Sequence, residues 1–147
     1  MKSKIAIVVL FISGCAANPD PTNTENPTPS YPETETADSI EEFTIGLEKS
    51  IRTEWIRERS SSAEITYSIN DIDVNRTDNG YRVRITYAVS WTDGDSVADA
   101  RFVAAYYVAN GTARRTVTDT GEPADPREGQ IVFEAGTPTP TANLLPF

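Results

Sequence analysis

Hydrophobic positions along this chain change period once in its middle, and that change separates a helix from a set of strands. Between Asp38 and Arg59, Ile40, Phe43, Leu47, Ile51 and Trp55 recur at steps of three and four, which lays them on one stripe of a helix. Glu41, Glu48, Arg52 and Glu58 fall largely on the other side. Ser39 and Glu42 form a Ser-x-x-Glu capping box, and Asp38, Glu41 and Glu42 suit the positive start of the helix. Arg57 and Arg59 suit its negative end, where Ser60-Ser61-Ser62 stops the periodicity. Gly46 costs up to ~1 kcal/mol against alanine inside a helix, so a close contact with a strand is expected there.

From Glu64 the period becomes two. Ile65, Tyr67 and Ile69 alternate with polar residues, and Ile72 and Val74 continue out of phase, which predicts a bulge near Asn70 and Asp71. Thr77-Asp78-Asn79-Gly80 reads as a turn. Tyr81, Val83, Ile85, Tyr87, Val89 and Trp91 then share one face of the clearest strand, with Arg82, Arg84, Thr86 and Ser90 opposite. After a turn at Asp93-Gly94-Asp95, Phe102, Ala104, Tyr106 and Val108 mark a third strand. Asn110-Gly111 marks a tight hairpin, Thr112 to Thr118 a fourth strand, and Ile131 to Phe133 a short fifth one after the Pro- and acid-rich loop Glu122 to Gly129. The pattern predicts an α+β domain over residues 38–135: one N-terminal amphipathic helix packed on a four- to five-stranded antiparallel meander.

The ends of the chain have a different character. Lys2 and Lys4 precede eight apolar residues, Ile5 to Ile12, and Ser13-Gly14-Cys15 follows. A basic start, a short apolar run and small residues before a cysteine read as a secretory signal with a lipobox, residues 1–14, whose cleavage leaves a lipidated Cys15 at the new N-terminus. The apolar run falls well short of the ~20 residues needed to span a bilayer. Residues 15–37 are rich in Pro, Thr, Asn and Glu, a composition expected to form a disordered tether, and residues 136–147 read as a similar Pro- and Thr-rich tail.

Charge narrows the set of partners. Without the signal, 22 Asp and Glu face 11 Lys and Arg, a net charge of about −11, and beyond the signal Lys49 is the only lysine beside ten arginines. An acidic field of this size argues against nucleic acid, whose phosphates need clustered positive charge. Through Ile12-Ser13-Gly14-Cys15, the acidic Thr/Pro tether and the lysine-poor charge balance, the chain resembles the small cell-surface lipoproteins of haloarchaea. The resemblance implies a protein held on the cell membrane by lipid at Cys15 and facing the extracellular side. Met1-Lys2-Ser3-Lys4 departs from the twin-arginine start common among them, which implies export unfolded through the general secretory route. The helix-then-meander order is also similar in topology to cystatin-like and NTF2-like folds, which host both binding modules and enzymes.

The chain has no histidine, one cysteine and one methionine. Ser-His and Cys-His hydrolysis, blue copper and His- or Cys-based zinc sites therefore lack their essential side chains. No cofactor or catalytic residue is expected. Asp71-Ile72-Asp73-Val74-Asn75 opens like a calcium loop, but Arg76 and Arg82 stand where such a loop needs glycine and glutamate, so the three polar residues read as the wet face of a strand and no metal is expected. Asn75-Arg76-Thr77 and Asn110-Gly111-Thr112 are sequons, which makes Asn75 and Asn110 candidate N-glycosylation sites. Arg82, Arg84, Arg101, Arg114 and Arg115 could together hold an anion, or could pair with acids on an outer sheet face. Tyr67, Tyr87, Tyr106 and Tyr107 could line a pocket or simply fill half-buried strands. The composition thus favours a non-catalytic surface module with a binding or structural role. An NTF2-like cavity domain, acting as a small-ligand-binding lipoprotein or small enzyme, is the alternative.

Overall fold

The structure, a computed structural model, describes residues 28–136. Helix α1 spans Ala37–Arg57. It is followed by β1 (Glu64–Arg76), β2 (Tyr81–Asp93), β3 (Ser96–Ala109), β4 (Thr112–Thr118) and β5 (Gln130–Glu134). The strands form one antiparallel sheet in the order β1-β2-β3-β4-β5, and α1 packs on one face of it. This is the expected α+β meander with five strands.

The helix starts one residue earlier than its periodicity suggests, and on a different cap. Thr36 is the N-cap: its hydroxyl accepts from the Ser39 backbone N–H at 3.1 Å, and the Ser39 hydroxyl accepts from the Thr36 N–H at 2.9 Å. The box is therefore Thr36-x-x-Ser39 and replaces the expected Ser39-x-x-Glu42. Serine at the third position serves because its short side chain reaches back as glutamate would. Gly46 meets no strand. Its α-carbon faces Pro29, whose ring would lie 3.3 Å from an added Cβ. The segment before the helix, expected as tether, contributes Tyr31, whose ring lies edge-on to Phe43 and stacks on Phe133 at centroid distances of 5.2 and 6.0 Å.

In the sheet, the register of β1 on β2 slips between Ile69 and Asp71, which is the predicted bulge at Asn70. The slip returns Ile72 and Val74 to the inner face, opposite Ile85 and Val83. Asn110 and Gly111 both take positive φ, 51° and 77°, as the tight β3–β4 turn requires. A second slip, between Ala113 and Arg114, puts Val132 into a bulge of β5 and lets the consecutive Val132 and Phe133 both be buried. The core lies between α1 and the inner face: Ile40, Phe43, Leu47 and Ile51 meet Tyr81, Val83, Ile85, Tyr87 and Val89 of β2 and Phe102, Ala104, Tyr106 and Val108 of β3.

Candidate functional site

Two polar constellations lie on opposite faces of the sheet. The inner one corrects the helix reading, because Glu48 and Arg52 point into the core. They are 2% and 0% exposed, and Arg115 of β4 joins them at 5%. Ile40, Thr44, Glu48, Arg52 and Ile56 follow one another at steps of four, so they form a second buried row beside the apolar stripe. Arg115 is turned inward by its register, opposite Tyr106 and on the same face as Ala113 and Val117.

Glu48 is saturated with donors. Arg115 donates through Nε and Nη2 to the two carboxylate oxygens, both at 2.7 Å, and the hydroxyls of Tyr87 and Tyr106 donate one to each oxygen. Four donors fill the acceptor capacity of a carboxylate. The Tyr87 oxygen in turn accepts from Arg52 Nε at 3.1 Å. Burial by itself would push the Glu48 carboxyl up, but the Arg115 guanidinium, with Arg52 and the Tyr106 hydroxyl, holds it at about 2. Burial, and then the Glu48 charge, pushes the Tyr87 and Tyr106 phenols well above their ordinary value. The Arg115 guanidinium is held protonated more firmly than usual: burial opposes its charge, but Glu48 outweighs burial. A carboxylate locked ionised, phenols locked neutral and a fixed guanidinium leave no group poised to exchange a proton near neutral pH.

The outer constellation is a groove of about 370 Å³. Asp73, Asn75, Arg82, Arg84 and Ala105 form its sheet wall, and Glu122 to Pro126 of the β4–β5 loop form the other. Arg82 reaches Asp125 at 2.9 Å, and Arg84 pairs with Glu122 through Nε at 3.3 Å and Nη2 at 3.0 Å. The loop is fixed by the Thr116 hydroxyl donating to the Ala124 carbonyl at 2.7 Å, by Arg114 donating to the Gly129 carbonyl at 3.1 Å and by burial of Pro126. The Asp125 carboxyl is lowered, first by the Arg127 backbone N–H and then by Arg82.

The sequence candidates distribute over these faces. Arg82, Arg84 and Arg114 share the outer face and bond to the loop, Arg101 is exposed there, and Arg115 belongs to the core. Tyr67, Tyr87 and Tyr106 lie inside, whereas Tyr107 lies outside with the Arg127 guanidinium 5.8 Å from its ring centre. Asp71, Asp73 and Asn75 alternate along β1 opposite Thr86, Arg84 and Arg82, and all three are exposed, as the wet face of a strand. Asn75 is exposed at the groove and its amide donates to Asp73 at 2.6 Å; Asn110 is exposed at its turn. Cys15 lies outside the described residues. Among the described residues, no helix is long and apolar enough to cross a membrane.

Comparison of the chain with protein-family models, with curated proteins and with solved structures found no match. Function must be argued from these residues.

Proposed function

We propose that this chain is a lipid-anchored surface module, held on the extracellular side of the cell membrane through Cys15, whose domain has a non-catalytic binding or structural role. The observation that carries the non-catalytic part is the state of Glu48. The one buried carboxylate among the described residues is saturated by four donors and lies in a layer where Leu47, Ile85 and Val83 are 1% exposed or less. Chemistry on a substrate needs an accessible group with an exchangeable proton or a free lone pair, and Glu48 offers neither. The anchor rests on the Ile12-Ser13-Gly14-Cys15 sequence.

The cavity reading expects open volume beside the helix. The groove instead lies on the face away from α1, between strand arginines and loop acids, so a ligand of this module would be taken up there. The test of the anchor is fractionation of the parent and of Cys15→Ser. The parent should partition with membranes and carry the mass of a lipid on the mature N-terminus, and Cys15→Ser should appear in the medium or remain unprocessed. A parent without lipid mass, fractionating as the variant does, would end the proposal.

A further inference from the structure

The inner network leaves one charge unbalanced. Glu48 supplies one negative charge, Arg52 and Arg115 supply two positive ones, and the Glu48 oxygens are already taken. Arg52 Nε bonds Tyr87, but Nη1 and Nη2 are buried and meet no hydrogen-bond acceptor among the described residues; the nearest Glu48 oxygen is 3.8 Å from Nη2. The indole Nε1 of Trp55, one helical turn on, is likewise buried and without an acceptor among them. All three nitrogens are obligate donors. Arg52 thus shares its one counter-charge, Glu48, with Arg115, and two of its buried nitrogens lack an acceptor, an arrangement that burial makes unfavourable.

We propose that Arg52 and Trp55 form a binding site for a small anion of the halide class, chloride being the common one. Aromatic rings decide the size. The Phe102 ring centre lies 3.8 Å from the Arg52 guanidinium carbon and that of Trp55 lies 5.2 Å away, so two aromatic rings crowd the guanidinium and leave little room for a ligand beside its unpartnered Nη1 and Nη2. Trp91 stands edge-on to Trp55 at 6.2 Å, and the Arg59 guanidinium carbon lies 4.3 Å from the Trp55 ring centre, which adds positive potential from the solvent side. A walled, donor-only, net-positive site selects a compact anion over an organic carboxylate, which brings bulk. It also selects an anion over water, which leaves the charge uncompensated.

Both tryptophans of the chain, Trp55 and Trp91, belong to this corner, so intrinsic fluorescence reads the site directly. The test follows the full-length chain at one fixed ionic strength while sodium gluconate is exchanged for sodium chloride or sodium bromide. The urea midpoint should rise with saturation in either halide, and bromide should quench fluorescence over the same concentrations. Trp55→Phe keeps the ring and removes one donor, so it should fold and require at least about three-fold more halide for half-saturation. Arg52→Gln should abolish the saturable response; if that variant does not fold, Trp55→Phe decides alone. Equal midpoints in gluconate and chloride overturn the proposal and indicate a water, or an acceptor from residues 1–27 or 137–147. A halide response unchanged in Trp55→Phe overturns it as well.

Discussion

The two faces of the sheet use the same chemistry, arginine against carboxylate, in opposite ways. On the inner face Arg115 and Glu48 are nearly withdrawn from water, and each Glu48 oxygen has two donors. On the outer face the Arg84 and Glu122 side chains are 36% and 77% exposed, and water competes for every bond they make. Inside, removing one partner strands a charge in a low-dielectric layer; outside, the freed group simply hydrates. The inner set therefore fixes how α1 sits on β2, β3 and β4, while the outer set holds a loop over a groove that a ligand can enter by exchanging bonds with it.

The largest break of that contrast is Glu48→Gln. It keeps the shape, removes the charge and leaves Arg115 and Arg52 buried without a counter-ion, so unfolding in urea should show a loss of about 3–5 kcal/mol. Removing both charges, as Glu48→Met with Arg115→Met, should cost less than the sum of the two single changes, because neither is then left unpaired. Additive losses would mean that the two groups do not act as a pair.

Leu47→Ala comes next and probes the apolar half of the same layer. Leu47 is 1% exposed between α1 and β2, and a large-to-small change there should cost ~2–5 kcal/mol by cavity formation. A loss well under 1 kcal/mol would mean that the interface is loose enough to collapse, and would reopen the cavity reading.

How much of this was legible in the sequence follows the same division. The strand faces, the bulge at Asn70 and the Asn110-Gly111 turn were readable because each rests on a local rule of alternation or positive φ. The inner network was missed because charged residues on a helix are ordinarily solvated, and Glu48 and Arg52 were placed outward on that basis. Two signals pointed the other way. Isoleucines at both ends of the row Ile40, Thr44, Glu48, Arg52 and Ile56 bracket the charges, and Ala113 and Val117 flank Arg115 on one face of β4. The groove could not be read at all, since it depends on the path of the β4–β5 loop across the outer face.

Acid probes the inner face through the Glu48 carboxyl. The Glu48 carboxyl falls from 4.5 to about 2 on folding, so its contribution is complete above the unfolded value and is lost as pH drops from about 4.5 through 2. A depression of that size corresponds to about 3 kcal/mol by linkage. Other carboxylates also titrate there, so the readout is the difference between the parent and Glu48→Gln, whose stabilities should converge as pH approaches 2. Parallel curves for the two proteins over that range would refute the assignment. At the alkaline end the raised Tyr87 and Tyr106 phenols contribute stability that is complete below about pH 10 and lost above it.

The smallest expected effect is the sharpest test of the outer face. Arg82→Gln with Arg84→Gln removes both groove pairs, yet each pair is partly exposed, so the double variant should lose only ~0–1 kcal/mol per pair. The loss should shrink further in molar salt, where screening at ~3 Å already weakens such pairs. The β4–β5 loop loses two ties but keeps its Thr116 and Arg114 bonds and the buried Pro126, so the amides of Glu122, Ala124 and Asp125 should exchange faster with solvent while those of β2 and β3 stay protected. A loss as large as that of Glu48→Gln, or exchange spreading into β2, would show that the outer arginines hold the sheet rather than the loop. The groove would then be structural, and binding would have to be sought on another surface of the domain.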